Sequence, residues 1–196
     1  MKKIATIALS IILLAACRKA DVVLPGNGGQ ADLVSKTNTQ NVAVARPMKI
    51  ELQSSADPTS PPLSCTLPGI PFGITNSGYF LSGAGTHVGN INSTTSMGID
   101  DFCNLNGSLM LSTHTSGQIV AADGEKFTYE GNDQINLFDV VVNGATTAPI
   151  TGLWNITGGT GRFAGASGSL TINGIVDLTT AGGPSLKISG NGTITY

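Results

Sequence analysis

The sequence predicts an all-β protein, a single antiparallel β-barrel of about eight strands that follows a signal peptide and a flexible tether. Three observations lead to this prediction. Apolar and polar residues alternate through most of the chain from Met48 onward, as in strands with one buried face. Turn-forming pairs separate the alternating segments, and no segment after Cys17 has the period of an amphipathic helix. The length, 196 residues, suits one such domain.

Residues 1–16 have the layout of a lipoprotein signal peptide. Two lysines precede an apolar stretch over residues 4–14, which is too short to cross a bilayer as a stable helix. The sequence Leu14-Ala15-Ala16-Cys17 resembles the bacterial lipobox. That resemblance implies that Cys17 becomes an acylated N-terminus and anchors the protein to a membrane, because three acyl chains exceed what stable anchoring needs. The alternative is an ordinary secretory signal with an incidental cysteine.

Residues 17–47 form the predicted tether. They show no periodicity and include the turn-rich run Pro25-Gly26-Asn27-Gly28-Gly29. About 30 residues of flexible chain reach roughly 30 Å on average, enough to hold a folded domain clear of a membrane. Arg18, in place of Asp, follows the cysteine, which by analogy with other lipoproteins favours the outer membrane of the cell envelope. Val42 to Val44 could instead add a short strand to the domain.

Alternation marks the strands of the domain, residues 48–196. The apolar positions that share a face are Ile50 and Leu52; Leu109 and Leu111; Leu170, Ile172, Val176 and Leu178; and Leu186, Ile188 and Ile194. Turns are predicted at Asn76-Ser77-Gly78, Asn106-Gly107, Ser116-Gly117, Asp123-Gly124, Asn143-Gly144, Gly182-Gly183-Pro184 and Gly190-Asn191-Gly192. Asn173-Gly174 fits either a hairpin turn or a glycine bulge within one long strand. Closure into a barrel would remove the sheet edges that promote aggregation.

Composition excludes two classes of protein. A hydrophobic fraction of 40% is too high for a disordered chain. From Met48 onward there are four basic and ten acidic residues, a net charge of −6. Nucleic-acid binding requires clustered Lys and Arg, so we expect no nucleic-acid partner.

Two cysteines remain in the domain, Cys65 and Cys103. An even number of thiols in an oxidising compartment predicts a disulfide. The bond would close a loop of about 39 residues and contribute about 4 kcal/mol by the chain-entropy estimate. A nucleophilic Cys103 would need a cationic environment, whereas Asp100 and Asp101 are its neighbours, so the disulfide is favoured.

The segment from Trp154 to Gly168, Trp-Asn-Ile-Thr-Gly-Gly-Thr-Gly-Arg-Phe-Ala-Gly-Ala-Ser-Gly, resembles a signature of the allene oxide cyclase/dirigent-like β-barrel proteins. Thr86-His87-Val88-Gly89 and Ala121-Ala122-Asp123-Gly124-Glu125 resemble stretches of the secreted bacterial members. The resemblance covers roughly residues 78–175 and implies an eight-stranded antiparallel barrel. It transfers no catalytic residue, because the site positions of the plant cyclases and of the dirigent proteins have no counterparts here.

The glycines of this segment have two interpretations. A phosphate-binding loop would need a following helix and usually a Lys-Ser/Thr pair, whereas a strand pattern follows here. A tight connection between strands explains them better. In that interpretation Phe163 closes the barrel end and Arg162 bonds loop carbonyls or a carboxylate. The motif residues are Gly158, Gly159, Thr160, Gly161, Arg162 and Phe163.

The only histidines, His87 and His114, are the candidates for a polar or ligand-binding site. Alternation places His114 on the face opposite Leu109 and Leu111, which predicts the solvent side, or a polar lumen if the barrel is wide. Metal binding would require the two rings to converge with a further ligand, and isolated histidines are the simpler interpretation.

Carboxylates provide a second group of candidates. Four of them could hold Ca²⁺, but they lack the spacing of a calcium loop: Asp123, Glu125, Glu130 and Asp133. Turn chemistry explains the first two, and Asp100-Asp101 is interpreted as a solvated loop. We therefore expect no metal, no cofactor and no catalytic residue.

Three functions fit these observations. The first is a lipid-anchored barrel that binds a small apolar ligand. The second is a packed barrel whose outer face, rich in Ser, Thr and Asn, contacts another envelope component. The third, an isomerase or cyclase acting on a small hydrophobic substrate, rests on the fold resemblance alone. Binding or envelope interaction is favoured over catalysis.

Overall fold

The structure, a computed structural model, describes residues 43–63, 77–180 and 183–196. The strands are β1 (Ala45–Ala56), β2 (Gly78–Gly85), β3 (Gly89–Ile91), β4 (Met97–Leu105), β5 (Met110–Val120), β6 (Lys126–Asn136), β7 (Thr147–Gly159), β8 (Ser167–Asp177) and β9 (Ser185–Thr195). These ranges also contain a short helix, α1 (Phe138–Asn143), and one 3₁₀ turn, Gly161–Phe163. The predicted signal peptide and the tether up to residue 42 lie outside the described residues.

Antiparallel pairing closes the sheet into a ring. The strand order is β1-β9-β8-β7-β6-β5-β4-β2, and β1 pairs with both β9 and β2. The ring therefore has eight strands, and the short β3 pairs with β2 outside it. This confirms the predicted all-β fold with an eight-stranded, barrel-like antiparallel sheet. One stretch is less fully paired: after Asp100, β4 pairs with β5 on one side and with no described strand on the other.

The core occupies the inside of this ring, as alternation predicts. Along β6, for example, Phe127, Tyr129 and Ile135 are buried, while the residues between them face outward. The largest fully buried side chains come from seven of the strands and from the 3₁₀ turn: Met48, Ile50, Leu81, Leu111, Ile119, Phe127, Tyr129, Trp154, Phe163, Leu170, Ile172 and Ile194.

Several turn predictions are confirmed and two are wrong. Asn106-Gly107 and Asp123-Gly124 connect strands, and Gly144 ends α1 in the left-handed conformation. The pairs Ser116-Gly117 and Gly190-Asn191-Gly192, however, lie inside β5 and β9. Their glycines face the interior, where they make room for large neighbours. A Cβ on Gly190, for instance, would stand 2.7 Å from the side chain of Ile50.

The ambiguous pair Asn173-Gly174 lies in the middle of β8. The pairing of β8 with β7 and with β9 continues through it without a shift of register. It is therefore neither a hairpin nor a bulge. A Cβ on Gly174 would meet Ile188 of β9 at 2.7 Å, so the glycine permits close approach of the two strands.

Local boundaries differ from the sequence prediction at three places. The first strand begins at Ala45, before the predicted domain start at 48. Its first three residues are exposed and do not alternate with buried ones, but they pair with the end of β9. Leu109 adopts a positive φ of 58° in the turn before β5. Helix α1 has only six residues, too few to produce a detectable helical period.

Candidate functional site

Three neighbouring rows of interior residues cross the strands from β2 to β7. Cross-strand pairing defines each row. The first contains Tyr79, Gly98, Gly117 and Tyr129; the second contains Asp100, Thr115, Gly131 and Trp154; the third contains Thr113, Asp133 and Gly152.

Glycines in these rows make room for the large side chains beside them. An added Cβ would overlap the neighbouring side chain in each of four pairs, namely Gly98 with Tyr79, Gly117 with Tyr129, Gly131 with Trp154 and Gly152 with Asp133. Because a glycine lacks a Cβ, its neighbour can lie flat against the inner wall of the barrel. The rows thus bring aromatic rings and carboxylates into one part of the interior.

We call six of these residues the interior polar cluster: Tyr79, Asp100, Thr115, Tyr129, Asp133 and Trp154. The hydroxyls of Tyr79 and Thr115 are 2.6 Å apart and hydrogen-bonded. The indole Nε1–H of Trp154 donates to both carboxylate oxygens of Asp133, at 3.1 and 3.2 Å. The rings of Tyr129 and Trp154 stack with centroids 4.2 Å apart.

Burial shifts the protonation of every acid in the cluster. Loss of hydration raises the pKa of Asp133, which is 3% exposed, to about 6, although the Trp154 hydrogen bond opposes the shift. Loss of hydration also raises the pKa of the half-buried Asp100 to about 7, against the hydrogen bond of Thr115. At neutral pH, Asp133 is therefore mostly ionised and Asp100 about half ionised.

The two phenols share this environment. Burial raises the pKa values of Tyr79 and Tyr129 above the usual value for tyrosine, so both stay protonated. The Tyr129 hydroxyl has no hydrogen-bond partner among the described residues. The neighbouring hydroxyl of Tyr79 partly lowers the pKa of Tyr129, but this hydroxyl is hydrogen-bonded to Thr115. A buried hydroxyl without a partner is uncommon in proteins.

Among the described residues, no lysine or arginine balances these acids. The lysines and arginines of the described ranges all lie elsewhere: Arg46 contacts the ring of Tyr196, Arg162 bonds loop carboxylates, Lys126 bonds Gln118, and Lys49 and Lys187 are exposed. Buried carboxylates are normally paired with a cation. The two carboxyls instead have raised pKa values, which favour their neutral forms.

The two histidines do not come together. His87 lies between β2 and β3 with a positive φ of 67°, and its Nε2 is 3.0 Å from the carbonyl oxygen of Pro47. His114 lies on the outer face of β5, and its Nδ1 is 2.7 Å from an oxygen of Asp101. The two rings thus have different partners on different elements.

The four carboxylates considered for Ca²⁺ also separate. Asp123 and Glu125 accept hydrogen bonds from Arg162, at 2.6 and 2.5 Å, and this contact lowers the pKa of Asp123. Glu130 is exposed, while Asp133 is inside the barrel. Within the described ranges, no three His, Cys, Asp or Glu side chains are placed to hold a metal ion.

The glycine-rich motif connects β7 to β8. Gly158 and Gly159 end β7, and Thr160 leads into the 3₁₀ turn. Phe163 is fully buried and packs edge-to-face against Phe127 and Tyr196, with centroids 5.8 and 5.3 Å apart. Strand β8 follows the 3₁₀ turn, in place of the α-helix whose N-terminus a phosphate loop would need.

The cysteine predictions fall mainly outside the described part of the chain. Cys17 and Cys65 are not among its residues. Cys103 lies on β4 and packs, partly buried, against the core. The Cys65–Cys103 disulfide and the lipidation of Cys17 stay predictions.

The interior polar cluster was not predicted from the sequence. Asp133 was grouped with surface acids, and Asp100 was assigned to a solvated loop. Alternation did contain a signal, because Asp133 is in phase with Phe127, Tyr129 and Ile135 on the buried face of β6. A carboxylate on an apolar face is the pattern that marks an interior acid.

Comparison with protein-family models, curated proteins and solved structures gave no match. In the part of the chain that the structure describes, no helix is long and apolar enough to span a bilayer. The interior polar cluster is thus the feature from which a function can be argued.

Proposed function

We propose that this chain is a lipid-anchored protein of the bacterial cell envelope whose barrel binds a small, mainly apolar ligand. The interior polar cluster is the observation that supports ligand binding. Small-molecule sites combine an apolar lining with a few converging polar groups, as found here around the unpartnered Tyr129 hydroxyl. A barrel that served only as a support would gain no stability from buried acids, because burying a carboxylate is unfavourable.

Native mass spectrometry of the full chain, released from bacterial membranes in a mild detergent, tests ligand binding. We expect an excess mass of a few hundred daltons that disappears on denaturation. Tyr129→Phe is the matched variant, since it removes a hydroxyl that bonds to no described group and should leave folding intact. Loss of the excess mass in this variant supports the proposal, whereas native protein without excess mass contradicts it.

The membrane anchor has its own test. Mass analysis of the N-terminal peptide should show a diacylglyceryl and an acyl group on Cys17, and the protein should sediment with membranes. The variant Cys17→Ser should lose both properties. An unmodified cysteine in the native protein would contradict the anchor without affecting the ligand-binding proposal.

An isomerase or cyclase is the second candidate. The two interior acids favour it, because pKa values of about 7 for Asp100 and about 6 for Asp133 suit groups that exchange protons near neutral pH. The ligand recovered by mass spectrometry would be incubated with native protein and with Asp133→Asn. Conversion by the native protein alone supports catalysis, and recovery of unchanged ligand from both leaves binding as the function.

Interaction with another envelope component is the third candidate. An open groove of about 610 Å³ on the outer face is lined in part by Glu51, Gln53, Asn173 and Lys187. It offers polar groups of both charges to a partner. Crosslinking in intact cells tests this function, and a partner that is lost in Gln53→Ala would support it over ligand binding.

A further inference from the structure

We infer that the polar group of the ligand is a cation, so that the barrel binds a small apolar amine next to Asp100 and Asp133. The inference rests on the ligand-binding function proposed above and specifies the chemistry of its ligand. Two observations lead to it: no lysine or arginine of the described residues lies beside the two carboxylates, and the buried Tyr129 hydroxyl bonds to no described residue.

The hydrogen bonds within the cluster leave these groups open to a ligand. Tyr79 and Thr115 are bonded to each other, and Trp154 donates to Asp133. The oxygens of Asp133 still have lone pairs, because a carboxylate accepts about four hydrogen bonds. Tyr129 is 1% exposed, and its hydroxyl makes no hydrogen bond with a described residue. An ammonium group is a donor only, which suits these acceptors.

The charge of the cluster selects among ligands. An anionic ligand would be repelled, since its nearest charges would be those of Asp100 and Asp133. A neutral ligand would leave the negative charge of the carboxylates without a counter-ion. A cation would be attracted to both, and the hydration of Asp133 has already been lost on folding, so only the ligand must still be dehydrated.

Access to the cluster lies at Asp100. This side chain is half-buried, whereas Asp133, Thr115 and Tyr129 are almost wholly enclosed. Beyond Asp100, β4 has no strand partner among the described residues on the side away from β5. Asp100 is therefore the acid of the cluster nearest to solvent, and the proposal places the approach of the ligand at this residue.

Binding of a cation should depend on pH. Besides burial, the charges of Asp133 and Asp101 raise the pKa of Asp100, and His114 on the outer face lowers it. Tyr79 and Tyr129 stay protonated. At pH 5, a carboxyl with a pKa of about 6 is roughly one-tenth ionised. An alkylamine stays charged up to pH 8. The affinity should therefore increase at least tenfold between pH 5 and pH 8.

The experiment compares three probes with one ring and different charge: cyclohexylamine, cyclohexanol and cyclohexanecarboxylate. The full chain is labelled with ¹⁵N and held in one detergent, and the indole N–H signal of Trp154 is followed. The chain contains one tryptophan, so this signal reports on the cluster directly. Asp100→Asn and Asp133→Asn are the test variants, and Glu130→Gln, an exposed acid on the same strand as Asp133, is the matched control.

We expect cyclohexylamine to shift the Trp154 signal with the tenfold pH effect, and either Asp variant to weaken binding at least tenfold at pH 8. Glu130→Gln should bind as the native protein does. Equal binding of cyclohexanol and cyclohexylamine would overturn the inference while ligand binding stands. If no probe binds although native mass spectrometry shows a captured ligand, the inference also fails; if neither experiment shows a ligand, the proposed function fails with it.

Discussion

Replacing Asp133 by Asn should make the protein more stable at neutral pH and leave its stability near pH 4 almost unchanged. Asp133 is 3% exposed, and its carboxylate accepts hydrogen bonds from the indole N–H of Trp154 inside the barrel. Asn is close in size and keeps an oxygen that can accept the same hydrogen bond, but it cannot ionise. The substitution therefore isolates the effect of the charge.

The size and sign of the effect follow from the raised pKa. In the unfolded chain the carboxyl loses its proton near pH 3.8, whereas in the folded protein its pKa is about 6. Between these values the folded state binds more protons, so stability falls as pH rises and the loss is complete above pH 6. A difference of roughly 2 pKa units corresponds to about 3 kcal/mol, which Asp133→Asn should recover at pH 7.

Urea denaturation at pH 4, 5, 6 and 7, followed by the fluorescence of Trp154, measures this difference. The charge of Asp133 helps to raise the pKa of Asp100 to about 7, so its removal in the variant lowers that pKa and adds to the expected gain in stability. Glu130→Gln serves as the control on the outer face of the same strand. If the stability curves of native protein and Asp133→Asn run parallel between pH 4 and pH 7, the argument from burial is wrong.

Three further predictions concern packing and the site. Gly117→Ala should lower the free energy of unfolding by about 1–3 kcal/mol, because the added Cβ would lie 2.7 Å from the Tyr129 hydroxyl. Gly107→Ala places its Cβ in open space and should leave the urea melting curve unchanged. Phe163→Ala should lower the free energy of unfolding by about 3–5 kcal/mol. Arg162→Ala breaks ion pairs with Asp123 and Glu125 and should cost much less, because solvent screens them; equal losses would contradict the barrel-end packing. The fluorescence of Trp154 should titrate near pH 6 with its carboxylate partner, and a flat profile from pH 5 to pH 8 would contradict their contact.

The period of two in the sequence was sufficient to predict the strands and their buried faces. In β8 it assigns Leu170, Ile172 and Val176 to one side, and the structure buries all three. Hairpin turns such as Asn106-Gly107 were also predictable, since their backbone conformations favour these residue types locally. Both signals depend on residues close together in the chain.

Glycines within strands could not be interpreted from the sequence in the same way. Ser116-Gly117 has the composition of a turn, yet Gly117 lies in the middle of β5, beneath the ring of Tyr129 from the next strand. The need for a glycine there comes from a side chain twelve positions away in the chain. Local patterns do not contain that information, because the pairing of strands determines which residues meet.

The interior polar cluster depends on tertiary structure for the same reason. Alternation directs Asp133 inward, but closure of the ring and the register of each strand pair bring Tyr79, Asp100 and Trp154 beside it. Burial in this shared space, rather than any local motif, raises the pKa values of the two acids. The sequence thus specifies which side chains point inward, and the closed sheet determines their neighbours and hence their chemistry.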